Sequence, residues 1–259
     1  MAESREIALD SGATVSATRY APTGDATATF VLAHGAGAGQ ASDFMVGFAS
    51  GLAERGLDVL TFNFPFTERG RKLPDTQPVL ESCYRSVLAH VAADPELGSR
   101  PLVIGGKSLG GRMASHLAAS RDADESGAPA WWDRLVGLVC IGYPLHPPGK
   151  PQQVRVSHLP QITHPILIVQ GAKDAFGTPA ELRTFFDVLA APSEIYVVDQ
   201  GNHSLEVPKR SGLPQAQVFG QAQDRIAAWV RERAATGGGR SPSAASYPAS
   251  SHRRPATRQ

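Results

Sequence analysis

The residues GKSLG at positions 106–110 match the pattern G-x-S-x-G, in which a serine occupies a strained turn between a strand and a helix. The apolar run Leu102 to Gly105 directly before them predicts a buried strand, and apolar residues recur with helical spacing over 109–117 directly after them. A serine hydroxyl on such a turn can attack a carbonyl carbon when a nearby base accepts its proton. We therefore predict that Ser108 is a nucleophile.

The base and the acid that such a serine needs follow the last two predicted strands. Asp174 comes directly after the penultimate strand and His203 directly after the final one. Groups at the carboxyl ends of parallel strands meet at one edge of a sheet, and the chain order Ser, Asp, His is that of α/β-hydrolases. We predict that His203 is the general base and that Asp174 orients it. Asp199 and Glu206 flank His203 and remain alternatives for the acid.

Two nucleotide-binding patterns use similar glycines, and both fail by position. A P-loop ending at Ser108 would need its first glycine where the sequence has Pro101. A dinucleotide fingerprint in HGAGAGQ would need a glycine where the sequence has Gln40 or Ser42. The histidines show no metal-ligand spacing with each other or with cysteines, and H-E-x-x-H is absent, so we expect no metal site.

The glycine-rich segment HGAGAG at 34–39 follows a predicted strand that ends at Ala33, where α/β-hydrolases carry an HGGG-like loop. Its small residues let backbone amides approach a ligand. We predict that the N–H groups of Ala36 and Leu109 stabilise an oxyanion, with a flexible glycine turn as the alternative. His34 is expected to brace this turn rather than to act as a base.

Further residues leave the same sheet edge and could line a substrate pocket. The candidates, besides the triad and the oxyanion loop, are His34, Phe64, Tyr143 and His146. The loop after Phe64 is basic, with Arg69, Arg71 and Lys72. It could meet an anionic substrate or partner, but we favour a solvated surface loop.

Short strand patterns alternate with helical ones, which predicts a mostly parallel sheet with helices on both faces. The predicted strands are Thr14 to Arg19, Thr29 to Ala33, Asp58 to Phe62, Leu102 to Gly105, Leu135 to Ile141, Ile166 to Val169 and Ile195 to Val198. The predicted apolar helix stripes lie over 44–52, 109–117, 182–189 and 226–230, and Thr178 and Glu181 form a capping box before the third of these. The proline-rich segment between the fifth and sixth strands is too short for a large cap domain, so we expect an open pocket.

The composition fits one catalytic domain with a short tail. The chain has 259 residues, 42% of them hydrophobic, and a formal net charge of +1. We expect a domain over 1–236 and a disordered basic tail over 237–259, because the tail lacks apolar residues. The near-zero charge argues against nucleic acid or an anionic membrane surface as a partner.

The cellular location and the source organism are also predicted from the sequence. The start of the chain has no signal-peptide pattern and no run approaches the roughly 18 apolar residues of a membrane span, so a cytoplasmic protein is expected. Cys83 and Cys140 both lie in apolar segments and are expected to be unpaired core thiols. The 20 arginines against 5 lysines, with abundant alanine, suggest a GC-rich bacterial genome.

Six stretches resemble the α/β-hydrolase-like family named for testis-expressed protein 30 and a nonspecific-lethal chromatin-complex subunit. They are LAHGAGAG, NFPFTERGRKLPD, GGKSLGGRMAS, GYPLHPPGKP, VQGAKDAFGT and DQGNHSLEV, within residues 32–207. The resemblance implies the α/β-hydrolase fold, the absence of a cofactor, and the triad Ser108, Asp174 and His203. Dienelactone hydrolases are a more distant relation, with a cysteine where this chain has Ser108.

The sequence thus predicts a serine hydrolase that acts on a small-molecule acyl substrate, such as a carboxylic ester. Chromatin-associated relatives suggest a second hypothesis, a non-catalytic module that retains the fold for binding. The two differ in what they require, because a scaffold has no need of a nucleophile, a base and an acid at the correct strand ends. The complete set of three favours the enzyme.

Overall fold

The computed structural model describes residues 2–120 and 129–237. The strands are β1 (Ala2–Ala8), β2 (Thr14–Tyr20), β3 (Ala28–Ala33), β4 (Leu57–Phe62), β5 (Leu102–Lys107), β6 (Leu135–Ile141), β7 (Ile166–Gly171) and β8 (Ser193–Val198). The α-helices are α1 (Asp43–Ala53), α2 (Pro65–Glu68), α3 (Gln77–Ala93), α4 (Leu109–Ala119), α5 (Pro179–Phe186) and α6 (Gln215–Ala235). The predicted tail, 237–259, lies outside the described residues except for Gly237.

The strands form one eight-stranded sheet in the order β1-β2-β4-β3-β5-β6-β7-β8. Strand β2 pairs antiparallel with β1 and β4, and the pairs from β4 to β8 are parallel. All seven predicted strands are present, with ends that differ by at most two residues. Since the strands from β3 to β8 run parallel, their carboxyl ends share one edge, and the loops after β3, β5, β7 and β8 meet there.

Different helices cover the two faces of the sheet. Along β3, Val31 faces the core shared with α3, α4 and α5, while Phe30 and Leu32 face the core shared with α1 and α6. Successive side chains of a strand point to opposite faces of the sheet, so this alternation shows that β3 is buried on both faces. The predicted capping box of α5 is present, with Thr178 accepting from the Glu181 backbone and Glu181 accepting from the Thr178 backbone.

Residues 142–165, between β6 and β7, contain a single 3-10 turn, Leu159–Gln161, and no cap domain. The walls of a pocket at the carboxyl edge of the sheet therefore come from the loops there and from the helix ends beside them. In the two described ranges, no helix combines the length and the apolar character required to cross a bilayer.

Three elements of the fold were not predicted: strand β1, the four-residue helix α2 and helix α3. Strand β1 is an edge strand with mostly exposed side chains, so its sequence lacks an apolar pattern. Helix α3 does carry one, since Leu80, Tyr84, Val87 and Val91 are all buried. The Tyr84 hydroxyl accepts a hydrogen bond from the Gly105 N–H (3.0 Å) and lies 2.7 Å from the Val31 carbonyl oxygen. Helix α3 is thus attached to the two strands that lead into the serine turn and the glycine-rich loop.

A buried ion pair joins the sheet at the amino ends of its parallel strands. Asp58 of β4 is fully buried and accepts from Arg19 Nε (3.0 Å) and Nη2 (2.7 Å) and from Arg100 Nη1 (2.7 Å). Arg19 lies on the antiparallel neighbour β2. Arg19 also pairs with Glu96, whose side chain is 65% exposed, so Asp58 is the buried acid of this network. Removing the buried acid leaves buried arginine charge poorly compensated, which is far more costly than losing an exposed pair.

We therefore predict that Asp58→Ala lowers the free energy of unfolding by about 3 to 5 kcal/mol, measured by urea denaturation. Asp224→Ala is the control, because Asp224 pairs with Arg55 while its own side chain is 67% exposed, and about 1 kcal/mol or less is expected. Equal losses in the two variants would contradict the assigned importance of the buried pair.

Candidate active site

Ser108 occupies the turn between β5 and α4 with φ 50° and ψ −112°. A positive φ is sterically unfavourable for a residue with a side chain, so the surrounding structure must hold the serine in this conformation. Gln200 and Leu205 are the other non-glycine residues with positive φ in the described ranges, and they border the loop that carries His203. Backbone strain is therefore concentrated around the predicted nucleophile and base.

The glycines on either side of Ser108 let two backbone segments touch. A methyl group on Gly110 would collide with the carbonyl groups of Ala33 and His34, and one on Gly106 would collide with Ala33 and with the backbone of Gly110. These contacts join the serine turn to the end of β3, where the glycine-rich loop begins. Backbone packing thus requires the two glycines of the pattern G-x-S-x-G.

The structure brings Ser108, His203 and Asp174 into one chain of hydrogen bonds. Ser108 Oγ lies 2.8 Å from His203 Nε2, and His203 Nδ1 lies 2.7 Å from Asp174 Oδ2. The Asp174 side chain is fully buried, whereas Asp199 and Glu206 are exposed and Glu206 accepts from Asn202. Among the three acids considered, Asp174 is the one bonded to the histidine.

Gln170 holds the carboxylate of Asp174, and the sequence analysis did not identify it. Its Nε2 donates to Asp174 Oδ2 and to the Gly177 carbonyl, each at 2.8 Å, and its Oε1 accepts from the Tyr143 N–H at 2.8 Å. The other Asp174 oxygen accepts from the Phe176 N–H at 2.8 Å. Hydrogen bonds that do not involve His203 therefore hold both carboxylate oxygens of Asp174 in place.

Two further residues hold His203 from other directions. The Phe176 ring stacks on the imidazole with centroids 4.1 Å apart. Lys107, which precedes the serine, is buried and donates from Nζ to the His203 carbonyl oxygen at 2.5 Å. Burial lowers the pKa of Lys107 to about 8, although Asp174 and Glu206 partly oppose this change. The ammonium therefore connects the serine turn with the histidine loop.

Ala36 and Leu109 both line the cavity beside Ser108. As the first residue of α4, Leu109 has an N–H with no acceptor inside the helix. His34 braces the loop, since its Nδ1 lies 2.6 Å from the Gly35 carbonyl oxygen and its Nε2 accepts from the Phe64 N–H at 3.0 Å. Burial lowers the pKa of His34, which favours this neutral, bridging form.

The cavity at the serine has a volume of about 660 Å³. Its apolar wall comprises Phe44, Met45, Pro74, Leu80, Leu109, Pro144 and Phe176, and its polar wall includes Gln77, Lys107, Arg112, Arg155 and Ser204. A pocket of this size with a few polar groups suits a small-molecule ligand.

The structure places the four additional pocket candidates outside the wall of this cavity. His34, Phe64, Tyr143 and His146 are all buried and none of them lines the cavity. Each does leave the carboxyl edge of the sheet, but its side chain packs back under the loops. The Tyr143 hydroxyl, for example, donates to the Arg155 carbonyl oxygen at 2.9 Å. Its role is to position the loop that carries Arg155.

The basic loop is largely neutralised by its own carboxylate. Arg69 and Arg71 both pair with Asp75, at 2.7 Å and 3.0 Å. This agrees with the solvated-loop interpretation. Cys83 and Cys140 are free and buried, as expected, and burial raises the pKa of Cys83 to about 12. In the part of the chain that the structure describes, no three His, Cys, Asp or Glu side chains form a group that could hold a metal ion.

Residues 26–231 match a protein family described as "Alpha/beta hydrolase domain". Solved structures are similar over nearly the whole described chain. A dienelactone hydrolase from Anabaena variabilis has 18% identity and a TM-score of 0.69 over 90% of this chain and 97% of its own. An esterase domain of a Rhodothermus marinus protein has 14% identity and a TM-score of 0.65, over 90% and 98%.

A third similar structure is a Xanthomonas campestris protein described as an α/β serine hydrolase without lid. It has 15% identity and a TM-score of 0.61, over 93% of this chain and 97% of its own. At such identities the likeness is one of fold. Together with the family match, it confirms the predicted fold class, a mostly parallel sheet with helices on both faces and without a large cap.

The buried Lys107 predicts a pH dependence of stability. Because its pKa in the folded state is lowered to about 8, the native protein releases this proton at a pH where the unfolded chain, with an ordinary lysine pKa near 10.5, still holds it. The free energy of unfolding contributed by this group therefore rises with pH between about 8 and 10, by up to about 1.4 kcal/mol per pH unit.

Denaturation of the parent and of Lys107→Met at pH 7.5, 8.5 and 9.5 measures this contribution as the difference between the two slopes. Lys173→Met is the matched control, since Lys173 is exposed and lies on the loop that carries Asp174. It should keep the parent slope. Identical pH dependence in the parent and in Lys107→Met would show that the buried amine does not titrate in this window.

Proposed function

This chain belongs to the α/β-hydrolase domain family, and we propose that it is a serine hydrolase that cleaves a carboxylic ester or a related acyl substrate. The observation that carries the proposal is the hydrogen-bonded chain from Ser108 through His203 to the buried Asp174. It lies on a strained turn that opens into a cavity large enough for a small molecule. The proposed catalytic domain spans residues 1–236.

In the proposed first half-reaction, Ser108 Oγ attacks the acyl carbon while His203 Nε2 accepts the hydroxyl proton. The carbonyl electron pair moves to oxygen, where the N–H groups of Ala36 and Leu109 stabilise it by about 3 to 4 kcal/mol per donor. The carbon–oxygen bond to the alcohol then breaks, and the leaving oxygen takes the proton from His203. The product is an acyl-enzyme ester on Ser108.

Water completes the reaction by the same steps. His203 accepts a proton from the water molecule as its oxygen attacks the acyl carbon, and the second tetrahedral intermediate expels Ser108 Oγ, which recovers the proton. Asp174 stays ionised throughout, fixes the imidazole tautomer and stabilises the imidazolium. The two bonds that Gln170 and Phe176 donate to Asp174 keep its carboxylate in place during both half-reactions.

We further infer that the chain falls in the group related to testis-expressed protein 30, on the strength of the six stretches quoted above. Four of these stretches carry the proposed triad and the two proposed oxyanion donors, namely LAHGAGAG, GGKSLGGRMAS, VQGAKDAFGT and DQGNHSLEV. The cytoplasmic location, the bacterial source and the small-molecule partner stay predictions.

A fluorophosphonate probe tests the proposed nucleophile directly, because it phosphonylates only an activated serine. The parent should be labelled, Ser108→Ala should not, and His203→Ala and Asp174→Asn should be labelled about 10²- to 10⁴-fold more slowly. Ser99→Ala, near the opposite edge of the sheet, should label like the parent. A well-folded parent that does not react would favour the non-catalytic binding module.

A second prediction concerns the positioning of Asp174. Gln170→Leu removes a hydrogen bond to a buried carboxylate, so kcat and the labelling rate should fall about 10- to 100-fold with little change in KM. Gln223→Leu is the matched control, since Gln223 is also buried but donates to the Gly47 carbonyl of α1 on the other face. If the two substitutions lowered kcat equally, Gln170 would have only a structural role and would not position Asp174.

A further inference from the structure

Two arginines, Arg112 and Arg155, line the same cavity as Ser108 and His203. Arg112 lies one turn into α4, and its N–H donates to the Ser108 carbonyl oxygen at 3.0 Å, so its position relative to the serine is fixed. Arg155 lies on the loop after β6. Its backbone N–H donates to Leu145 and its carbonyl accepts from Tyr143, so this second arginine is also anchored.

Neither guanidinium has a carboxylate partner within 4.0 Å among the described residues. Arg112 Nε is buried and makes no hydrogen bond there, and the Arg155 side chain makes one long contact, 3.4 Å, with the Pro144 carbonyl oxygen. A buried donor without a partner costs free energy that a ligand can recover. The other arginines near this cavity differ, because Arg69 and Arg71 share Asp75.

The nearby acids are already engaged. Asp75 is the acid that lines the cavity, and it is held by Arg69 and Arg71. Glu81, on α3, accepts from Gln77 at 2.8 Å and from Arg85 at 3.4 Å. Burial, followed by repulsion from Arg155, lowers the pKa of Arg112, and Glu81 offsets this change only in part. An anion bound between them would relieve this repulsion.

We propose that Arg112 and Arg155 form a subsite for an anionic oxygen group, so that the substrate is an ester that carries a carboxylate or a phosphate besides the bond to be cleaved. The planar guanidinium matches either group with two parallel hydrogen bonds. The apolar wall of Phe44, Met45, Leu80 and Phe176 contacts the remainder of such a substrate. This subsite rests on the proposed function in that Ser108 attacks the ester.

Binding is measured first, because it does not depend on turnover. Calorimetry with the Ser108→Ala protein compares p-nitrophenyl pentanoate with the p-nitrophenyl monoester of glutaric acid, which adds the charge on the acyl side. It also compares phenyl acetate with 4-acetoxybenzoate and with 4-acetoxyphenyl phosphate, which add it on the alcohol side. At least one charged ester should bind about 10-fold or more tightly than its neutral partner, and the last two compounds distinguish a carboxylate from a phosphate subsite.

The arginines are then replaced singly in the Ser108→Ala protein and in the parent. Arg112→Gln and Arg155→Gln should each reduce the charged-to-neutral ratio of affinities, and of kcat/KM in the parent, by about 10-fold. Arg55→Gln is the matched control, because Arg55 is also half-buried but lies next to the amino end of β4, at the opposite edge of the sheet. It should leave both ratios unchanged, and circular dichroism checks that each variant is folded.

The outcomes separate the two proposals. Equal binding of every charged and neutral pair, or a preference that survives in both arginine variants, overturns the subsite. A preference for charged esters in binding without hydrolysis of any ester supports the subsite and overturns the proposed function. Hydrolysis of neutral and charged esters at equal kcat/KM supports the serine hydrolase and overturns the subsite.

Discussion

The geometry of the site depends on one close contact between two backbone segments. The serine turn after β5 touches the end of β3 so tightly that Gly106 and Gly110 have no room for a side chain. This contact holds Ser108 at a positive φ and places the N–H of Leu109 beside the loop that carries Ala36. The predicted nucleophile and the predicted oxyanion donors are therefore positioned by the same backbone packing.

Around that contact, buried polar side chains connect the four loops at the carboxyl edge of the sheet through hydrogen bonds. Lys107 connects the serine turn to the His203 loop, Gln170 connects the Asp174 loop to Tyr143, and His34 connects the glycine-rich loop to Phe64. Buried polar groups of this kind are favourable only when their bonds are satisfied, so they specify one arrangement of the loops. Arg112 Nε differs from these side chains, because it is buried without a hydrogen-bond partner. A bound ligand could supply that partner.

The sequence predicted the site residues that directly follow a strand along the chain. It did not predict the contacts between residues that are distant in the chain. Ser108, Asp174 and His203 could be found because each follows a readable strand. Gln170 could not, because it lies one residue past the predicted end of that strand, inside the observed β7, and its partners come from the loops. Phe64 and Tyr143 lie outside the cavity wall for a similar reason, since a position at the sheet edge does not reveal whether a side chain points into a cavity or beneath a loop. Helix α3 differs, because its apolar spacing was visible and was overlooked.

The proposed nucleophile and base are 95 residues apart in the chain. The histidine follows β8, the last strand both in the sequence and at its edge of the sheet, so synthesis on the ribosome delivers the serine long before its base. Contacts between such distant residues form late, after the intervening strands have paired. If Ser108 is the nucleophile proposed above, a nascent or partly folded chain exposes only an ordinary serine hydroxyl, and reactivity of Ser108 would report that the whole parallel sheet has been completed.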